Sequence, residues 1–254
     1  MKKYIFYFFT VFLIIFITKK IVFKKDIKLN SIKSNEYIVV GTNSLFPPYE
    51  FIEDNKLVGF DIDLIEEISK KLNKKIIWKD MEFDSLILDL QSGQIDLIAA
   101  AMSPTIEREK KISFTKKYIE KDCFAVITRK KDIVNSIKDL VGKEVIVVDG
   151  YAEADYIEKQ EGISSIRLSS SPDALLALIN GKGFAHLSVL SVMKFFLKQQ
   201  KNNDLNIFIT NEYDSRAIGI AKNNSGLLIK INSILFEFEK DGTLDRLRKK
   251  WDIN

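Results

Sequence analysis

From residue 37 onward the chain alternates short apolar runs with stretches whose apolar positions recur every three or four residues. Residues 37–41 (YIVVG) are a β-type run leading into a loop with two prolines and the rings of Phe46, Tyr49 and Phe51. Prolines fix φ, so such a loop can present rings to a ligand with little ordering entropy left to lose. A turn at Asp54-Asn55 follows, and Asp61 then reads as the cap of a helix to Leu72 that buries Leu64, Ile65, Ile68 and Leu72. Residues 75–78 form a second strand, Asp84 caps a helix stopped at Gly93, and residues 95–101 (IDLIAAA) read as a strand buried on both faces. Continuous apolar strands of that kind belong to parallel sheets.

The alternation returns with different residues. A strand over 144–148, a turn at Gly150, a helix over 152–160 and a strand over 165–168 precede a helix opened by Ser171-Pro172-Asp173 and ended at Asn180-Gly181. Two βαβ blocks predict an α/β fold of two lobes, with ligands held at the carboxyl ends of the strands in the cleft between them. The chain is expected to cross between lobes near 122–128 and 213–220. Residues 37–122 plus 218–254 then make the first lobe and 123–217 the second. The last two helices, 227–239 and 243–251, pack back on the first.

Length and composition fit this picture: 254 residues exceed a comfortable single core, and 46% hydrophobic with 29% charged residues describes a folded chain. The net charge of +4 is carried by lysines mixed with acids, so no nucleic-acid partner is expected. Cys123 is the single cysteine, in an apolar run with no base beside it, and reads as a buried inert thiol. His186 is the single histidine, which argues against a metal site; no cofactor is expected. The amino terminus has Lys2-Lys3 before an uncharged, mostly apolar run over 4–17, as in an export signal. No small-residue cleavage site follows, so residues 1–23 are either a signal peptide or an uncleaved membrane anchor, with 24–36 as a tether.

The motifs VGTNSLFPPYEF, LVGFDIDLIEEISKKL, FDSLILDLQSGQIDLI, MSPTIEREKKISFT and DGTLDRLRKKW together resemble the polar amino-acid family of extracytoplasmic solute-binding proteins of ABC importers. The likeness runs from about Tyr37 to Trp251. It implies a two-lobed, type II periplasmic-binding-protein-like clamshell, hinged around an interlobe cleft, that closes on a free amino acid. It also implies permease subunits as partners, an exported periplasmic or cell-surface location, a monomer, and no catalysis. By the same resemblance Phe46 and Phe83 sandwich the ligand's side chain, Ala101 and Ser103 contact its ammonium or carboxylate, and Arg108 clamps the carboxylate.

Elementary chemistry supports the clamp, because a guanidinium meets a carboxylate in planar bidentate geometry and cannot be titrated away. Arg108 also follows a Ser-Pro-Thr turn whose free N–H groups favour an anion. The second lobe departs from the family. Asp149-Gly150-Tyr151-Ala152 replaces a turn that usually carries hydroxyls, leaving the backbone at Tyr151 and Ala152 as the anion contact. Val189 stands where relatives carry the acid that pairs with the ligand's α-ammonium; Asp149 is the nearest replacement by position, Glu153 the next. A buried ammonium needs such a partner. His186 reads as a core residue before a cleft residue. Asn43 stands where relatives for basic ligands may carry an acid, which disfavours lysine and leaves arginine or glutamine as the guess. The rival readings are a dehydratase-like enzyme using Glu50 or Asp61, a sensor acting through a partner, and a degenerate binder, which Val189 and Tyr151 motivate.

Overall fold

The computed structural model describes residues 36–199 and 204–253, so the leader and tether expected before Glu36 lie outside the described residues. Strand β1 (Tyr37–Thr42) runs parallel to β5 (Lys75–Asp80) and to β6 (Leu97–Ile98). The sheet is completed by β13 (Gly219–Ile220), antiparallel to β6, and then by β7 (Ser113–Phe114), in the order β5-β1-β6-β13-β7. Residues that pair here are thus separated by most of the chain, because the polypeptide leaves for the second sheet and returns.

The second sheet has the order β10-β9-β11-β8-β12. Its parallel part is β9 (Glu144–Val148), β10 (Ser164–Leu168) and β11 (Ala185–Val189); β8 (Ile119–Arg129) and β12 (Leu205–Arg216) are antiparallel additions. β8 and β12 are long because they also carry the chain between the two sheets. Their ladder is interrupted between Ile209 and Tyr213 and between Asp214 and Arg216, where the crossing occurs. The first crossing starts nearer Ile119 than the expected residue 122, because pairing with Arg216 already begins there.

A small antiparallel sheet of β2 (Leu45–Phe46), β3 (Glu50–Glu53) and β4 (Lys56–Val58) carries the aromatic loop. Helix α1 (Phe60–Leu72) follows directly. Its N-cap is Gly59 at φ 139°, where a Cβ would collide with the Tyr49 carbonyl; Asp61 is therefore not the cap. Instead, Asp61 is buried, and its Oδ2 accepts from the Ala101 amide at 2.8 Å and the Tyr118 hydroxyl at 2.7 Å. Desolvation raises its carboxyl to about 6, partly opposed by those two bonds. Asp84 is not a cap either: it lies exposed in a short 3₁₀ turn (Phe83–Ser85) before α2 (Leu86–Gln91). The apolar run 95–101 is buried apart from half-buried Asp96, yet only two residues are regular strand, because the chain turns toward the cleft and Ala101 takes φ 43°.

In the second half, α4 (Ala152–Glu158) and α5 (Ser171–Ile179) follow β9 and β10, the latter capped by Ser170 with Pro172 in its first turn. α6 (Leu190–Gln199) follows β11. α3 (Ile106–Lys111) is capped by Thr105 in the first half. The terminal helices α7 (Ser225–Lys240) and α8 (Thr243–Trp251) return to the first sheet's side, where Arg248 donates to the Tyr118 carbonyl at 2.8 Å and Trp251 to Asp63 at 2.7 Å. No described helix is long and apolar enough to cross a membrane. Cys123 is half-buried rather than buried, since it lies on the crossing segment of β8.

Asp61→Ala is expected to destabilise the fold by about 2 kcal/mol, since two buried donors lose their acceptor. Chemical denaturation would measure it, and an unchanged midpoint would remove Asp61 as the link between α1 and the turn at Ala101.

Candidate ligand-binding site

The carboxyl ends of β1, β6 and β9 converge on a cavity between the two sheets, lined by Phe46, Phe83, Ala100, Ala101, Ser103, Arg108, Tyr151 and Arg216. The first sheet's side supplies the two phenyl rings, the alanine turn, Ser103 and Arg108. Tyr151, at the N-cap of α4, comes from the second. Arg216 arrives on the returning crossing strand.

Arg108 is half-buried and spans the gap: Nη1 donates to the Ser103 carbonyl at 3.0 Å and Nη2 to the Gly150 carbonyl at 2.7 Å. Its guanidinium also lies 5.1 Å from the Phe83 ring centroid. Gly150, at φ 76°, brings the opposite backbone so close that a Cβ would meet Asp84 Oδ1 at 2.6 Å. The halves of the molecule are therefore in contact across the cleft.

Arg216 is a second cation that the sequence reading did not single out. It is 2% exposed, donates from Nη1 to Asp214 at 2.6 Å and to Ser103 Oγ at 2.8 Å, and lies 5.7 Å from the Phe46 ring. Its Nε and Nη2 are buried without an acceptor among the described residues. The signal was an arginine set in the apolar segment RAIGIA at the predicted crossing.

Among the acids, Asp149 is exposed and paired with Arg167, away from the cavity, so it does not replace the acid missing at Val189. Glu153, in the first turn of α4, is buried behind the cavity rather than on its lining. It is 2% exposed, accepts from Ser188 Oγ at 3.4 Å, and burial pushes it up to about 7, partly opposed by Arg216. Glu50 is buried, and neither carboxylate oxygen has a hydrogen-bond partner among the described residues. It stands opposite Phe46 in the β2–β3 register, hence on the same face. Burial first, then the nearby Asp61, holds its carboxyl well above the usual range.

Two further expected positions do not line the cavity. Asn43 donates to the Met81 carbonyl at 2.9 Å and so braces the segment before Phe83. Ala152 is the half-buried first residue of α4. His186 is fully buried in β11, with Nδ1 3.0 Å from the Ile146 carbonyl, and desolvation lowers it to about 4; it is a core residue.

Two α/β halves joined by two crossing strands, with a charged, aromatic-walled gap at the strand ends, define a clamshell binding protein of type II. Residues 38–253 match the model of the bacterial extracellular solute-binding proteins, family 3, and the chain belongs to that family. It is an exported solute-binding protein. A probable histidine-binding protein of Campylobacter jejuni is 34% identical over the full length of both chains. An arginine-binding protein of Escherichia coli is 32% identical over 85% of this chain and 90% of its own. Among solved structures, an ancestral arginine-binding protein bound to arginine superposes with a TM-score of 0.80 at 37% identity, covering 85% of this chain and 97% of that one. The form described as bound to glutamine gives 0.80 at 36% identity, covering 86% and 98%.

Proposed function

We propose that the chain binds a polar amino acid, arginine or glutamine, between a lobe of residues 37–122 plus 218–254 and a lobe of residues 123–217, and presents it to an ABC importer. The carrying observation is the placement of Arg108 beside the Phe46 and Phe83 rings at the mouth of the cleft. In this reading Arg108 and the free donors of Arg216 take the carboxylate, and Glu153 takes the α-ammonium. The rings hold the tail, and Glu50 offers an acceptor for a guanidinium or amide at its end. An unpartnered buried acid favours a cationic tail, which places arginine ahead of glutamine. The protein acts as a monomer, held at the membrane through its amino-terminal segment if that segment is retained.

Titration calorimetry with free amino acids tests this: at least one should bind with micromolar or tighter affinity, and a flat response to all twenty would sink the proposal. The pH dependence tests Glu153 separately. Its carboxyl, at about 7 in the free protein, is pulled down by a bound ammonium, so binding releases a proton below that pH. Affinity should fall as pH drops from 7 toward 5 and level off above 8. Glu153→Gln should abolish the proton release, seen as loss of the buffer-dependent heat; an unchanged release would exclude Glu153.

A further inference from the structure

The tail subsite is filled by the protein itself. The Tyr151 ring stands edge-on to Phe46, with centroids 4.9 Å apart at 79°, and edge-on to Phe83, 4.8 Å apart at 69°. It is 8% exposed, although it caps a short helix on the opposite side of the cleft. The cavity remaining beside it is about 10 Å³, the room of one water molecule. No amino acid fits while the ring stays there. The contacts with Phe46 and Phe83 are made by the Tyr151 ring.

We infer that Tyr151 is a displaceable plug: its ring occupies the slot between Phe46 and Phe83 and competes with the ligand's tail for that slot. This deepens the amino-acid-binding reading and rests on it only for the ligand's identity. Three features on the page act in the same direction. Two edge-to-face ring contacts, each favourable beyond their buried area, replace the contacts a ligand would make. The Arg108 to Gly150 bond holds the adjacent backbone across the cleft. Gly150, at φ 76°, gives the short loop the turn that aims the following ring into the gap. A ligand that enters must therefore move the ring out, and the apparent affinity is lowered by the fraction of molecules that are plugged.

A ligand whose tail is a planar cation exchanges one favourable ring contact for another, because a guanidinium between two phenyl faces gains cation–π attraction. A short aliphatic tail offers no such exchange. Tyr151 thus sets a threshold that selects long, flat or cationic tails, which makes it a specificity-determining residue of the cleft.

Small-angle scattering of the ligand-free protein tests the plug without any ligand. Wild type and Tyr151→Phe should be equally compact, whereas Tyr151→Ala should expand as the lobes part; should the alanine variant fold poorly, Tyr151→Leu serves the same comparison. Calorimetry with arginine and glutamine is the second arm. Tyr151→Ala should bind about ten- to a hundredfold more tightly than wild type, and Tyr151→Phe should restore the wild-type value. A ligand-free alanine variant as compact as wild type would overturn the plug, as would weaker binding by that variant, which would make Tyr151 a wall of the ligand's own site. Binding by neither protein would defeat the amino-acid reading, while the scattering result would still decide the plug.

Discussion

Replacing Arg108 with methionine is expected to weaken amino-acid binding by about two to three orders of magnitude, the effect of removing one partner from a desolvated charge pair. Methionine keeps most of the stem's volume, so the cleft is not opened, and only the donors are lost. In the structure those donors hold the Ser103 and Gly150 carbonyls. Neither carbonyl is charged, so a carboxylate is the better partner and takes at least one of them over on binding. Because Gly150 belongs to the opposite half, the same substitution also removes a bridge that favours closure. Calorimetry separates the two effects: loss of the clamp raises Kd for every amino acid tested, and loss of the bridge changes the scattering of the unliganded protein. An unaltered Kd would remove Arg108 from the site.

Arg216→Met should lower the stability of the fold itself, by about 2 to 3 kcal/mol, because it strands the half-buried carboxylate of Asp214, whose side chain is 12% exposed. Asp214 also accepts from Ser103 Oγ, whose other contact is the Arg216 guanidinium, so the three side chains act as a unit. A double variant, Arg216→Met with Asp214→Leu, should recover much of the loss, since replacing both partners of a buried ion pair by apolar groups is often nearly neutral. Urea denaturation of the two proteins gives the comparison. Equal destabilisation of the single and double variants would show that packing of the arginine over Phe46 and Tyr49, and not the charge pair, is what matters at this position.

Much of the fold was legible because each half carries local signals. The apolar run IVVG before an amphipathic helix, and EVIVV before Gly150, specify strand, turn and helix by periodicity alone. Thr243–Trp251 was readable to the residue, since Gly242 breaks the preceding helix at φ 81° and the last turn gathers Arg248, Lys249 and Lys250. What failed was the assignment of polar residues at helix starts. Asp61 sits where a cap could be, but Gly59 alone tolerates the φ required there, and the carboxylate is diverted to a backbone amide forty residues away. A periodicity argument contains no such partner.

The site divides in the same way. Phe46, Phe83, Ala101, Ser103, Arg108 and Tyr151 do gather at one cavity. Asp149, Asn43 and Ala152 do not line it, and Arg216 and Glu50 were respectively missed and read as something else. Asp149 precedes the turn and its side chain leaves toward Arg167, whereas Glu153 lies one helical turn further on and is buried against Ser188. Nearness in sequence to a turn does not decide which way a carboxylate faces. Arg216 gains its importance from strands whose pairing partners lie far away along the chain, and only the assembled ladder shows it beside Ser103.

The interrupted ladder of β8 and β12 has a mechanical consequence. Groups on the axis of rotation travel little when a jaw swings, and groups far from it travel most. Arg216 and Asp214 flank an interruption and are joined by an ion pair, so a jaw pivoting there would leave that pair in place while carrying the loop of Tyr151 with it. An incoming solute therefore displaces the ring on the moving jaw before it reaches the buried guanidinium at the pivot.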